Sequence, residues 1–475
     1  MRKVIVLEFN ELTPALMDRY IEQGALPGFK RLRDESLVAI TDAGEDPPYL
    51  EPWIQWVTVH TGLSYAQHQV FDLGDGPKLR APRIWDIVSG SGDPVWICGS
   101  MNAAVQSAGI RGSVLPDPWS TGLRPIPDEK FAPFFDFIST YVLGYSADKT
   151  PVTMKEQLRF VRFMLANGLS LQTVIDTIRQ LASELTSSSK KWRRAAILDG
   201  LMWDVFKHEY RRINPKLATF FLNSTAHYQH YYWRNMEPDA FDVKPDAAAQ
   251  LSYADAIFFG YRQMDEIVQQ CFEIADDDTS IILCTALSQQ PLTQYDAEGG
   301  RQLFKPIEPK LLFDFAGISG RFDSAAVMAE DFRLFFEDES EAEAAETRLA
   351  ALALDNGMPL LRVRRAGRDI YAGCAVYSNP QANTLVSSAF HNRTRAFRDL
   401  FYPINAGIKS GMHHRDGILW MRVPGVPSGS IDRTISLEEI APTILELCDV
   451  ETSVLFSHPP IAEIAINRSD RRQAA

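Results

Sequence analysis

The stretch Leu217-Ala218-Thr219-Phe220-Phe221-Leu222-Asn223-Ser224-Thr225-Ala226-His227-Tyr228-Gln229-His230-Tyr231-Tyr232-Trp233 sets an apolar run directly before a segment with two histidines and four aromatics. A short apolar run with this boundary reads as a buried strand. In an open α/β sheet, ligands bind beyond the carboxyl ends of the strands, so the residues after Leu222 fall where chemistry is expected. A second window, Gly411-Met412-His413-His414-Arg415-Asp416-Gly417-Ile418-Leu419, leads into another apolar run. The two windows hold four of the nine histidines.

Working outward, residues 3–9 read as a buried strand. Thr13 then caps a helix with Pro14 at its first position, and Gly24 stops it. Residues 51–62 read as a helix with Pro52 near its start, 95–98 as a short strand, and 279–285 as a further buried strand. A long helix is expected over about 247–275 and an acidic one over about 341–354, where Ser340 and Glu343 have the spacing of a capping box. A strand pair is expected around 360–365 and 369–375. Residues 110–150, rich in Pro, Gly and aromatics, read as irregular, and 153–210 carry three helical patterns. The expected fold class is α/β: a mainly parallel central sheet flanked by helices, in one domain over residues 1–466. A helical insertion at about 140–212 and a second insertion at about 300–400 cover the cleft, and residues 467–475 read as a disordered polar tail.

Of the 475 residues, 45% are apolar and 23% charged, an ordinary globular composition. The formal charge of −13 disfavours a nucleic-acid backbone as partner and leaves room for a phosphorylated small molecule in a local pocket. Five scattered cysteines without C-x-x-C spacing read as buried thiols in a reducing compartment. The run Val4-Ile5-Val6-Leu7 is too short for a signal peptide, and no stretch reaches the roughly 20 apolar residues of a membrane span. A cytoplasmic location is therefore expected.

Taken in order, several pieces resemble the type I phosphodiesterase / nucleotide pyrophosphatase branch of the alkaline phosphatase superfamily, in its alkaline-phosphatase-like fold. Residues 4–12 are similar to its first strand and metal-bearing turn. Residues 52–62 and Gln67-His68-Gln69-Val70-Phe71-Asp72 are similar to its nucleophile helix and the loop after it. Trp85-Asp86-Ile87 and Leu115-Pro116-Asp117-Pro118 also have counterparts. Residues 223–233 resemble the Thr-Asp-x-x-x-His-x-x-Trp signature. Residues 411–417, Pro424-Gly425-Val426 and Ile440-Ala441-Pro442-Thr443 resemble the C-terminal end.

The resemblance implies two zinc ions that clamp the attacking and leaving oxygens, with a Thr or Ser nucleophile. Its first-strand Asp falls on Asn10, and its nucleophile on Pro52. Thr58 lies about two turns further along that helix. The Asp of the signature falls on Ala226 and its His on His230. The later Ser-Asp-His-Gly element falls on Thr285-Ala286-Leu287-Ser288, and the last His on His413. A binuclear zinc centre is therefore not expected: the nucleophile-side positions are Asn10, Pro52, Ala286 and Leu287. At most one zinc or other divalent ion is expected, held by His230 and His413 with His227 or His414 as the third ligand. Glu51 is a candidate general base or cation ligand, and Thr58 and Asn10 are the other catalytic candidates. Asn10, Glu51, His227, His414 and Arg415 are the substrate-binding candidates. Glu8, Asn10 and Glu11 sit in the cleft by topology; whether they act stays open, the other role for Glu11 being to favour the start of the next helix. The function implied is that of a divergent phosphodiesterase-like protein that binds a phosphorylated small molecule, such as a nucleotide sugar or glycan precursor, with two-zinc hydrolysis altered or lost. An active metal-dependent phosphodiesterase or phosphatase with rearranged ligands, and a non-catalytic binding or scaffold protein, stay open.

Overall fold

In a computed structural model of the chain, the structure describes residues 2–464 except 107–108, 121, 144–151, 327–329, 405–406, 452–453 and 455. The expected tail at 467–475 lies outside the described residues. The apolar runs form strands: β1 (Lys3–Phe9), β2 (Leu37–Asp42), β3 (Val95–Cys98), β4 (Gly112–Leu115), β5 (Leu217–Leu222) and β6 (Thr279–Cys284). With Asp416–Arg422 and two short strands they make a nine-stranded sheet. Its order is Gly429–Ser430, β2, Asp416–Arg422, β6, β1, β5, β3, β4, with Ile435–Ser436 also on β2. β1 runs parallel to both β5 and β6, and β3 runs parallel to β5 and β4. Asp416–Arg422 lies antiparallel between β2 and β6. β5 and β6 are buried at every residue, as strands covered on both faces must be.

Helices cover the sheet on both sides, which defines an α/β fold with a mainly parallel central sheet. On one face Leu7, Phe9 and Phe220 pack with Met17, Phe206, Tyr261 and Met264. On the other, Val4, Val6 and Ile282 pack with Trp56, Val59, Ile84 and Ile444. Within 300–400, the strands Leu361–Ala366, Asp369–Cys374, Asp331–Phe336 and Phe322–Ala326 form a separate four-stranded sheet. It has its own apolar core with the Glu339–Ala350 helix. Two ion pairs tie it to the loop after the Pro52–Thr61 helix: Arg333 to Asp75 at 3.2 Å and Arg364 to Asp72 at 2.8 Å.

Four local expectations are corrected. Residues 110–150 are not irregular: they contain β4 and the Asp128–Leu143 helix. The helix expected over 247–275 is two, Ala247–Tyr253 and Ala256–Ile274, the second beginning after Asp255. The acidic helix starts earlier, at Glu339, because the Asp338 carboxylate accepts from the backbone N–H of Ser340 and Glu341. Thr13 sits at the N-cap, but its hydroxyl makes no cap bond; it bonds the Gln289 carbonyl at 3.0 Å instead.

Candidate metal centre

β1, β5 and β6 are parallel, so their carboxyl ends open on one edge of the sheet. Asn10 and Glu11 follow β1. The Ser224–Met236 helix, carrying His230, follows β5. The Ser288–Pro291 strand follows β6 and pairs with Gly411–His414, which places His413 opposite Gln289. Gly411 is required there by close approach: a Cβ would lie 2.4 Å from the Gln229 carbonyl oxygen.

These segments bring together Glu11, His230 and His413, whose ligand atoms lie within 4.8 Å of one another. Glu11 Oε2 is 3.1 Å from His230 Nε2 and 3.4 Å from His413 Nε2. Two ligands of a tetrahedral zinc at about 2.0–2.1 Å stand about 3.3 Å apart, so these spacings suit a shared ion. The histidine rings are 5.2 Å apart at 69°. Each ring donates Nδ1–H to a backbone carbonyl, His230 to Gly411 at 3.0 Å and His413 to Leu50 at 2.9 Å. That fixes the orientation of each ring and turns both Nε2 atoms toward Glu11, the usual way a protein orients metal-binding imidazoles.

Glu11 is held as firmly. Its φ of 62° lies in the left-handed region, uncommon for a residue with a side chain and often associated with functional sites. Its Oε1 accepts from Asn10 Nδ2 at 2.6 Å and its Oε2 from Gln289 Nε2 at 2.5 Å. Burial pushes the Glu11 carboxyl up, but the charges and hydrogen bonds of His413 and His230 outweigh it and hold the group well below its ordinary range. Burial and the nearby Lys409 cation push His230 down to about 4. His413 is also buried, yet the Glu11 and Glu51 carboxylates raise it.

The other candidates fall at varying distances from this cluster. Glu51, the N-cap of the Pro52–Thr61 helix, lies 3.4 Å from His413 Nδ1, and burial pushes its carboxyl up. Asn10 is fully committed: besides bonding Glu11, its Nδ2 donates to Asn223 at 2.8 Å and its Oδ1 accepts from Trp56 at 2.8 Å. The Thr58 hydroxyl is buried against His68 Nε2 at 3.3 Å. His227 and His414 do not join the cluster. His227 is exposed beside Tyr231, ring centres 4.9 Å apart, and His414 Nδ1 accepts from the Asp416 N–H at 3.2 Å. Arg415 is paired bidentately with Asp42 at 2.7 and 2.9 Å. The third residue of the cluster is Glu11, whose role the sequence left open between the cleft and the start of the next helix. Its position one residue beyond Asn10, at the end of the first strand, was the available signal.

No family model matches the chain, and no curated protein matches it. Solved structures do. Murine ectonucleotide pyrophosphatase/phosphodiesterase 5 is 11% identical, with a TM-score of 0.43 over 96% of this chain and 97% of that one. Phosphonoacetate hydrolase from Sinorhizobium meliloti 1021 is 12% identical, with a TM-score of 0.40 over 94% and 95%. The alkaline phosphatase PafA is 13% identical, with a TM-score of 0.41 over 97% and 98%.

Proposed function

We propose that the protein holds one divalent metal ion, zinc by donor set, on Glu11, His230 and His413, and uses the site to bind a phosphate-bearing small molecule such as a nucleotide sugar or glycan precursor. The observation that carries this reading is the convergence of two oriented Nε2 atoms and one carboxylate oxygen. Two histidines and a glutamate are a known catalytic zinc set, with the fourth position left for water or substrate. The positions where the resemblance puts the second site of a two-zinc hydrolase offer no free donor. Pro52, Ala286 and Leu287 are buried and carry no donor side chain, and the Asn10 amide is already spent on three partners. Standard two-zinc hydrolysis is therefore altered or lost.

A bound metal would supply positive charge for a phosphate oxygen. The chain adds its own: the Lys409 cation helps depress His230 and partly offsets the burial that raises Glu51. Its backbone N–H donates to the Arg301 carbonyl at 2.7 Å. Glu51, whose carboxyl burial raises, is the group placed to take a proton beside the cluster. All five cysteines are free and buried, which supports a cytoplasmic setting.

Elemental analysis of purified protein should give at most one zinc per chain, lost in Glu11→Gln and His413→Ala. Calorimetry with AMP and with a uridine diphosphate sugar should show binding that falls on chelation. Two zinc ions per chain, or tight ligand binding untouched by chelation, would sink the proposal.

A further inference from the structure

Fifteen large apolar side chains are exposed among the described residues, and eight of them fall on two consecutive helices, Met154–Ala166 and Leu171–Thr186. On the first, Met154, Leu158, Val161 and Leu165 are 79, 62, 47 and 70% exposed. At 3.6 residues per turn these four share an arc of about 60°. The same helix buries Phe160, Phe163 and Met164 on its other side, so it is apolar on two faces, and among the described residues only one of them is packed. On the second helix Leu171, Ile178, Leu181 and Leu185 are exposed and share an arc of about 80°.

The charge around these stripes runs against the rest of the protein. Residues 154–194 contain eight cations (Lys155, Arg159, Arg162, Arg179, Lys190, Lys191, Arg193, Arg194) and three acids (Glu156, Asp176, Glu184), a net +5 in a chain of −13. Lys155, Arg159 and Arg162 are exposed along one flank of the first stripe. The Ser188–Arg193 segment turns back along the second helix, with Gln180 donating to the Lys190 carbonyl at 2.9 Å and Arg194 paired to Glu184 at 2.6 Å. No helix among the described residues is long and apolar enough to cross a membrane.

We propose that these two helices dock on an anionic lipid surface, their exposed apolar stripes entering the headgroup boundary and the flanking cations meeting lipid phosphates. Exposed apolar stripes beside Lys and Arg are the pattern of helices that lie in the plane of a membrane, and each such cation near an anionic leaflet adds to the attraction. Charge complementarity selects this occupant over a second copy of the chain. A two-fold interface sets the same patch against itself, and a net +5 patch facing its own copy repels.

The test is sedimentation of the full-length protein with phosphatidylcholine vesicles and with vesicles containing about a third phosphatidylglycerol. The protein should sediment with the anionic vesicles, remain in solution with the neutral ones, and be released at about 0.5 M salt. Two double variants, Leu158→Glu with Leu165→Glu and Arg159→Glu with Arg162→Glu, change only exposed positions. Each should retain the wild-type thermal midpoint and lose vesicle binding by about tenfold or more. Binding that is absent, or equal on both kinds of vesicle, overturns the proposal. So does light scattering that shows a dimer dissolved by the Leu variant, without vesicle binding.

Discussion

Glu11→Gln keeps the shape of the side chain and removes its charge, which makes it the sharpest probe of the site. Two separate effects follow from the geometry. First, both carboxylate oxygens accept from amide donors, Oε1 from Asn10 at 2.6 Å and Oε2 from Gln289 at 2.5 Å. A glutamine offers one oxygen and one NH₂, so one of these donors meets another donor. A buried donor left without an acceptor costs about 1–3 kcal/mol, and Glu11 is 2% exposed. Metal-free Glu11→Gln should therefore unfold more easily than metal-free wild type by that amount. Second, removing a partner that merely orients a ligand costs about 10–100-fold in metal affinity. Removing one of three ligands should cost at least about 100-fold, or about 2.7 kcal/mol. Zinc competition against a chelator measures this second effect. Denaturant unfolding with and without zinc reads both, because saturation at 100 Kd adds about 2.7 kcal/mol to a protein that binds and almost nothing to one that does not. A Glu11→Gln protein with wild-type zinc affinity would refute the assignment of Glu11 as ligand. Unchanged metal-free stability would refute the hydrogen-bond reasoning.

Other substitutions separate function from folding. His230→Ala and His413→Ala remove side chains only 17 and 14% exposed, but ones that face a polar cleft; each should abolish zinc uptake while shifting unfolding by no more than about 1 kcal/mol. Asp296→Ala should be far more damaging. It strands the Arg234 guanidinium, paired with Asp296 at 2.7 and 3.1 Å and 4% exposed, and should cost about 3–5 kcal/mol in denaturant unfolding. Glu209 governs part of the acid limb. Burial pushes it up, but hydrogen bonds from Arg212, Lys130 and Ser113 outweigh that and bring it from an ordinary 4.5 down to about 2. The depressed value means its contribution, about 3 kcal/mol, is present above pH 4.5 and is lost as pH falls toward 2. Glu209→Gln should lower stability at pH 7 and flatten this part of the acid titration; an unchanged acid limb would contradict it.

The sheet was readable from sequence where burial on both faces leaves continuous apolar runs, as in β1, β5 and β6. It was not readable at Gly112–Leu115, a four-residue strand whose neighbours are turn formers. The Asp128–Leu143 helix was hidden for a different reason: Pro133 lies inside it and reads as a breaker. At the site, His230 and His413 stood out because motif spacing survives around them. Glu11 did not, because its role depends on a left-handed backbone turn and on Gln289 arriving from another strand. Local spacing shows neither. Helical spacing made His227 a neighbour of His230, yet it is His230 that bonds the Gly411 carbonyl.

The Asp416–Arg422 strand, wedged between β2 and β6, also sets an order of events during synthesis. Until it leaves the ribosome, β2 has no long strand to pair with, although β6, β1, β5, β3 and β4 can already associate. His413 emerges immediately ahead of that strand, 402 positions after Glu11 (413 − 11). Closing the gap in the sheet and delivering the last imidazole are therefore a single step. A nascent or truncated chain lacking this segment has no completed Glu11–His230–His413 cluster, so any ion the cluster binds would be taken up only after this segment is in place.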